Sequence, residues 1–370
     1  MSSERPRPPA SPTISEVAAA AGVGRATVAR SLGNYGSVSE ATRSHVLAVA
    51  ARLGYRVNSL ARSMTTGVTK TLGVVLADVA NPFFAGVLRG LSDAAKQEGY
   101  DILVLSTNEE LSEEKAAVGL LLDKQVDGLI VASAATRNDD LAHLQAVRER
   151  GVPIVLIDRL LAGFDADSVV INNREAAREA VATLIEAGHT RIGFVWGPVT
   201  VQPAEDLEAM RSVLDGALWS DGERLRGYLD ALADADLEFD TSLVTHVIKT
   251  ETQATRAVSG MLALAEPPTA FFTTETDATV GTLRALRNRR LRCPDDVSLL
   301  GFDDTPWADV MEPPLSMVAQ PMRDVGARAA ELLIARIHGG DDEPLVHEVL
   351  PAQMVERGSV RKRKPTLLPR

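Results

Sequence analysis

Apolar positions follow two different patterns along this chain. From residue 71 onward, short apolar runs alternate with longer segments in which apolar residues recur every three to four positions. This alternation predicts an α/β fold, with doubly wound parallel sheets covered by helices on both faces. The predicted strands are 72–77, 101–106, 127–132 and 153–158, then a second run at 168–171, 191–196, 245–248, 270–273 and 297–301.

Two consecutive runs of this kind predict that residues 71–358 form a body of two lobes with a cleft between them. In doubly wound sheets, ligands bind beyond the carboxyl ends of the strands. We therefore expect a ligand site in the cleft.

Residues 13–56 have helical periodicity only, and predict helices over 15–21, 25–32 and 40–53. Thr13 and Glu16 have the spacing of a capping box, and Gly22 can form the turn before the second helix. Val17 and Val28 fall where two crossing helices share a core. The pattern is typical of an all-α helix-turn-helix domain, whose second helix enters the major groove of DNA. An ordinary helical hairpin is the alternative that this pattern leaves open.

Three flanking segments have other compositions. Residues 1–12 include four prolines and predict a disordered arm. Residues 57–70 predict a short hinge helix and a linker. Residues 359–370 hold five basic residues and two prolines, and predict a disordered basic tail.

Charge is distributed unevenly along the chain. Residues 1–66 hold eight arginines and three glutamates, or +5, whereas the whole chain carries −11, so the remainder carries −16. A small basic domain on a large acidic body is expected when only the small domain contacts phosphate.

Several classes of protein are excluded. The single cysteine, Cys293, permits no intrachain disulfide and favours a reducing cytoplasm. We find no secretory signal and no apolar segment of the length that spans a bilayer. Catalytic triads, metal-ligand spacings and phosphate loops are also missing, so we expect no enzyme activity, no metal and no cofactor.

Ordered sequence blocks then indicate a family. The N-terminal blocks are Thr13–Val17, Ala21–Val23, Ala26–Val28, Val38–Arg43 and Asn58–Met64, and those of the body include Asn81–Phe84, Gly188–Gly193, Arg224–Tyr228 and Pro294–Asp304. Through them the chain resembles the Lac/Gal repressor family over nearly its whole length. The resemblance implies a homodimeric repressor that binds a palindromic DNA operator, and a body like a periplasmic sugar-binding protein. No membrane partner is implied.

The resemblance also implies which residues contact DNA. Arg25, Ala26 and Arg30 match base-contacting positions, and Met64 matches a leucine that wedges into the minor groove. Val57 stands where the family commonly has proline. The remaining matched positions contact phosphate or lie in the hinge: Thr13, Thr27, Ser37, Ser39, Thr42, Tyr55, Asn58 and Ala61.

Effector-binding positions of the family match residues on both predicted lobes: Phe83, Phe84, Asp158, Arg224, Glu275, Thr276 and Asp303. Carboxylates and a guanidinium suit vicinal hydroxyls, and aromatic rings suit the apolar face of a sugar. Glu275 and Thr276 replace the family's usual Asn-Asp pair. Asn172 replaces an aspartate, a change that helix capping would explain.

Residues 197–224 are longer than the corresponding loop of the family, with an acidic amphipathic stretch at 204–219. A lid over the pocket and a plain surface insertion are both consistent with this stretch. Two alternatives to a sugar-controlled repressor also stay open. One is a regulator with a protein or non-sugar co-regulator, and the other is a soluble sugar-binding protein.

Overall fold

A computed structural model describes residues 12–33, 36–55, 68–196, 206–214, 217–246, 250–339 and 343–363. The chain divides into two compact units, Met1–Thr69 and Lys70–Arg370. The arm predicted at the N-terminus lies outside the described residues up to residue 11. The same holds for the predicted hinge contacts Asn58, Ala61 and Met64.

The N-terminal unit, called the head below, contains three helices, α1 (Ile14–Ala21), α2 (Arg25–Gly33) and α3 (Glu40–Leu53). The side chains of Val17, Val28 and Val46 are fully buried where the helices meet. Thr13 and Glu16 form the predicted capping box, and Gly22 ends α1 with φ +66°. A positive φ costs glycine little, so the chain can turn sharply into α2.

The second unit, called the body below, contains two six-stranded sheets. Strands of the first sheet lie in the order β11-β5-β4-β3-β1-β2, and those of the second in the order β12-β10-β9-β8-β6-β7. All strand pairs are parallel except β10–β12. The first-sheet strands are β1 (Thr71–Leu76), β2 (Asp101–Ser106), β3 (Gly128–Val131), β4 (Ile154–Ile157), β5 (Asp167–Ile171) and β11 (His347–Leu350). The second-sheet strands are β6 (Ile192–Trp196), β7 (Val244–His246), β8 (Ala270–Thr273), β9 (Ser298–Phe302), β10 (Ser316–Ala319) and β12 (Gln353–Val355).

Helices connect these strands and confirm the predicted α/β class. They are α4 (Pro82–Gln97), α5 (Leu111–Asp123), α6 (Ala142–Glu149), α7 (Asn173–Glu186), α8 (Leu207–Leu214), α9 (Trp219–Asp234), α10 (Glu251–Met261), α11 (Thr276–Asn288), α12 (Pro306–Asp309) and α13 (Met322–Gly339). A short 3₁₀ turn, Thr241–Leu243, precedes β7.

The prediction of two consecutive lobes is wrong in its connectivity. Strand β5 was expected to open the second lobe, but it pairs with β4 in the first sheet. Strand β11, which comes after the whole second sheet in the sequence, then pairs with β5. The chain therefore passes between the lobes three times, after β5, after β10 and after β11. Periodicity reports that a strand is buried and does not report which neighbour it pairs with.

Asn172 stands at the first of these crossings. It occupies the N-cap position of α7, as predicted, but its side chain makes no capping hydrogen bond to that helix. Its Oδ1 instead accepts a hydrogen bond of 2.8 Å from the backbone N–H of Ala352, at the third crossing. One amide thus ties two crossings together.

Helices α4 and α13 pack together through glycines. A Cβ atom on Gly326 would overlap the carbonyl oxygen of Val87, and one on Gly90 would overlap that of Arg323. Because α13 follows the second sheet in sequence, this contact holds a distant part of the chain against the first lobe.

The prediction of a disordered tail from residue 359 is also wrong for its first five residues. The hydroxyl of Ser359 is fully buried, donates to the carbonyl of Leu299 at 2.6 Å and accepts from the N–H of Ser316 at 2.7 Å. The N–H of Arg363 donates to the carbonyl of Ala187 at 2.7 Å. Charge suggested disorder, but backbone groups bind this stretch to the second lobe. Residues 364–370 lie outside the described part of the chain.

Candidate DNA-reading head and effector cleft

The start of α2 presents the predicted base-contacting residues. Arg25 and Ala26 are exposed, whereas Thr27 and Arg30 are partly buried. The Nε of Arg30 donates to the carbonyl of Ala26 at 3.2 Å, so this side chain lies back along its own helix. Arg25 is therefore the more available of the two arginines.

The predicted phosphate-contacting hydroxyls are gathered at helix N-termini. Thr13 caps α1 and Ser39 caps α3 by accepting from the N–H of Thr42 at 3.2 Å. Ser37 is exposed just before this cap, and Tyr55 packs partly buried against the head core. Helix N-termini attract phosphate because their N–H groups and dipoles present positive charge.

A cavity lies between the two lobes of the body, and is called the inner cavity below. Six of the seven effector residues predicted from the sequence line it: Phe83, Phe84, Asp158, Arg224, Glu275 and Asp303. Thr276, the seventh, begins α11 and is not part of this lining.

The first lobe contributes aromatic rings and a carboxylate. Asn81 caps α4 by accepting from the N–H of Phe83 at 2.9 Å, and this places both phenylalanines at the cavity. The rings of Phe83 and Phe84 meet edge to face, with centroids 5.0 Å apart. Asp158 directly follows β4 with φ +65°, a left-handed conformation that is uncommon outside glycine and recurs at functional sites.

The second lobe repeats this arrangement. Asp303 directly follows β9 with φ +72° and accepts a hydrogen bond from Gln320. Arg224 of α9 donates to Asn173 Oδ1 and to the carbonyl of Thr274, both at 2.8 Å, and its guanidinium lies 4.0 Å from the ring centroid of Phe302. These contacts hold the guanidinium rigidly at the cavity.

Arg159 is the main residue that sequence reasoning missed. It is 4% exposed, and donates to the carbonyl of Ser133 at 2.9 Å and to Glu109 at 2.7 Å. Its Nε also lies 3.0 Å from Asp158. Burial by itself would lower the pKa of Arg159, but the carboxylates of Glu109, Asp158 and Asp221 outweigh burial and raise that pKa. The guanidinium is therefore a fixed positive charge in the cleft.

Four further lining residues were missed, and their sequence signals are weak. Asn81 looks like an ordinary helix cap, and Gln320 stands before a proline. Ser220 and Asp221 lie in the long segment 197–224, which the sequence placed near the pocket without indicating which of its residues line it. Arg159 had the best signal, because it adjoins Asp158 at the end of a strand.

The inner cavity is small. The volume of the inner cavity is about 20 Å³, which is room for about one water molecule. Binding sites for small molecules commonly have volumes of roughly 300–1,000 Å³. A ligand at these residues therefore requires the lobes to separate.

Comparison with known proteins identifies both units. Residues 13–58 match the model for bacterial regulatory proteins of the lacI family, and residues 181–360 match a periplasmic binding protein-like domain. Catabolite control protein A of Priestia megaterium is 32% identical over 87% of this chain and 91% of its own length. The chain belongs to the lacI family.

Two further relatives match this chain over nearly their whole length. The transcriptional repressor PurR of Aliivibrio fischeri is 31% identical over 95% of this chain and 99% of its own length. The solved structure of a transcriptional regulator CelR–cellobiose complex is 32% identical, covers 94% of this chain and 99% of its own, and has a TM-score of 0.67. This lacI-family chain is a DNA-binding transcriptional regulator. Within the described residues, its longest helices are too short or too polar to cross a membrane.

Proposed function

We propose that this chain is a cytoplasmic repressor, without catalytic activity, that binds a pseudo-palindromic operator as a homodimer. Its effector is an uncharged, polyhydroxylated small molecule of the sugar class that binds between the lobes. The observation that carries the effector class is the set of side chains around the inner cavity, together with the family of the chain.

The DNA-binding part of this proposal rests on the head. Arg25 supplies a donor pair that suits guanine in the major groove, while the helix N-termini at Thr13 and Ser39 suit backbone phosphate. The family adds a minor-groove wedge, for which Met64 is the corresponding residue. Of these contacts, only that of Arg25 discriminates strongly between sequences.

The effector class follows from charge and shape. Four carboxylates line the inner cavity (Asp158, Asp221, Glu275 and Asp303) against two guanidiniums, so a phosphorylated or carboxylated ligand would be repelled. Carboxylates and guanidiniums instead pair well with neutral hydroxyl groups, and Phe83 and Phe84 offer apolar contact. CelR was solved with cellobiose, a neutral sugar of this kind.

The proposal explains how a ligand bound in the body would change the affinity of the head for operator DNA. A sugar that separates or realigns the lobes binds one arrangement of the body better than the other, and so shifts their populations. The three crossings between the lobes are the segments that such a movement must deform. Affinity for DNA then changes by the same factor by which DNA changes affinity for the sugar.

A thermal-shift series tests the effector class, because a ligand that binds only the folded state raises its melting temperature. The full chain is melted with ribose, glucose, cellobiose, glucose 6-phosphate and gluconate. We expect at least one neutral sugar to raise the melting temperature and to change affinity for operator DNA selected by this chain. We expect the two anions to have no effect. A shift produced by the anions alone would overturn the assignment.

A further inference from the structure

A second cavity lies beside the inner cavity, also between the lobes, and is called the outer cavity below. Its volume is about 260 Å³. The wall from the first lobe includes Arg137, Leu160 and Leu161, and the wall from the second lobe includes Trp219, Glu223 and Arg226. The outer cavity is therefore more than ten times larger than the inner cavity and needs no opening of the cleft to exist.

The two cavities share both of their walls. In the loop that follows β4, Asp158 and Arg159 line the inner cavity, while residues 160–162 line the outer one. On α9, Asp221 and Arg224 face the inner cavity, while Trp219, Glu223 and Arg226 line the outer one. Both cavities are therefore bounded by the same strand-end loop and the same helix.

The second-lobe wall comes from the segment that is long for the family. Residues 207–214 form α8, whose Met210 and Leu214 are 3% and 4% exposed. Ala217 and Leu218 are also buried, directly before Trp219. One face of this segment therefore packs into the hydrophobic core, through Met210, Leu214 and Ala217, while Glu208 and Arg211 are exposed. The wall at Trp219 is thus anchored on both sides, by α8 and by α9.

The chemistry of the outer cavity resembles that of a sugar subsite. Trp219 is partly exposed and supplies an aromatic ring to the lining, to which the other lobe contributes the apolar residues Leu160 and Leu161. Glu223 and Arg226 are paired at 2.8 Å and present donors and acceptors at the rim. An aromatic face with polar groups at its edge suits a ring that is apolar on its faces and hydroxylated around its edge.

We propose that the outer cavity is a second glycosyl subsite, and that the effector of this regulator is a saccharide of at least two units. One unit binds at Asp158, Arg224 and Asp303, and the next lies on Trp219. This inference rests on the proposed function, because it assumes a sugar in the inner cavity. It adds the length of the ligand and assigns a role to the long segment.

Binding of matched sugars tests the second subsite. Thermal shift and calorimetry of the full chain are measured with glucose, cellobiose, maltose and lactose, using the wild type, Trp219→Ala and Trp219→Phe. We expect at least one disaccharide to bind about tenfold or more tightly than glucose. Trp219→Ala should remove this advantage and leave glucose binding unchanged, whereas Trp219→Phe should retain most of it because the aromatic face remains.

A second variant guards against a folding effect at Trp219. Ala162 lines the outer cavity from an exposed position, so Ala162→Arg fills the cavity without entering the core. It should weaken disaccharide binding and spare glucose. If glucose binds as tightly as every disaccharide, or if each variant weakens both equally, the second subsite is overturned. If no saccharide binds the wild type, the sugar effector itself is overturned, and the subsite with it.

Discussion

The head and the body differ in how far apart in the sequence their packed residues lie. The core of the head is drawn from residues 17–50, so three successive helices complete it. Each sheet of the body instead combines strands that are far apart in the sequence. Strand β5, for example, pairs with β11, which follows it by more than 170 residues. The head is consequently a local unit. Each lobe of the body depends on chain that has already passed through the other lobe.

Glycines show the same difference. In the head, Gly22 and Gly54 end helices at positive φ, and a side chain at either position would meet no neighbouring atom. In the body, Gly90 and Gly326 allow backbone contact between helices distant in sequence. The first use stabilises a turn, and the second joins separate parts of the chain. A substitution at a glycine of the second kind should therefore destabilise the whole body.

The largest expected effect comes from Gly326→Ala. The new methyl group would overlap the carbonyl oxygen of Val87, so α4 and α13 must move apart. We expect the free energy of unfolding of the body to fall by about 3 kcal/mol, at the upper end of overpacking effects. Urea unfolding of the full chain measures the change.

Gly119→Ala is the matched control for this substitution. Gly119 is exposed within α5, and an added Cβ would meet nothing. Alanine is the better helix former, and should raise stability by about 0.5–1 kcal/mol. Equal effects of the two substitutions would contradict the role of Gly326 in helix contact.

The next largest effect is expected from a substitution in the head. Arg25→Ala should cost about 1–3 kcal/mol in binding to selected operator DNA and relax sequence preference, because a base-edge contact is lost. The melting temperature of the body should not change. Binding is measured on selected and random DNA at one salt concentration, since phosphate contacts depend strongly on salt.

Arg52→Ala removes the same charge from an exposed position in the last turn of α3. We expect it to weaken binding to both DNA samples alike. If Arg25→Ala also weakens binding to both DNA samples equally, the guanidinium of Arg25 contacts phosphate and not a base.

The smallest effect concerns the join between the second lobe and residues 359–363. His189 bonds Thr269 Oγ1 at 2.9 Å and the carbonyl of Arg361 at 3.2 Å. Burial lowers the pKa of His189 below its ordinary value of 6.5; the bond to Arg361 opposes this shift, and the charge of Arg363 adds to it. The unfolded chain therefore binds a proton at a higher pH than the folded chain does.

Stability from the neutral imidazole is accordingly present above the unfolded pKa and is lost as pH falls below it. Thermal melts between about pH 7 and pH 5 should show a decline that His189→Gln reduces. Because His189 lies in the body, DNA binding by the head at neutral pH should be unaffected by His189→Gln. An identical decline in wild type and variant would remove His189 as the cause.

Much of this architecture could be predicted from the sequence. The capping box at Thr13, the turn at Gly22 and the three head helices all depend on residues a few positions apart. The body strands are visible as apolar runs for the same reason. Family blocks pointed to six residues of the inner cavity, and five of them sit at the end of a strand or the start of a helix. Arg224, inside α9, is the exception.

By itself, then, the sequence determined the local elements, the start of α2 at Arg25 and most of the inner cavity. Only the tertiary structure decided that β5 joins the first sheet, that Arg159 is buried among carboxylates, and that Trp219 and residues 160–162 line one cavity. These features arise from contacts between residues far apart in the chain. Periodicity reports how strongly one face of a segment is buried, but the partner that buries it is chosen by packing of the whole molecule.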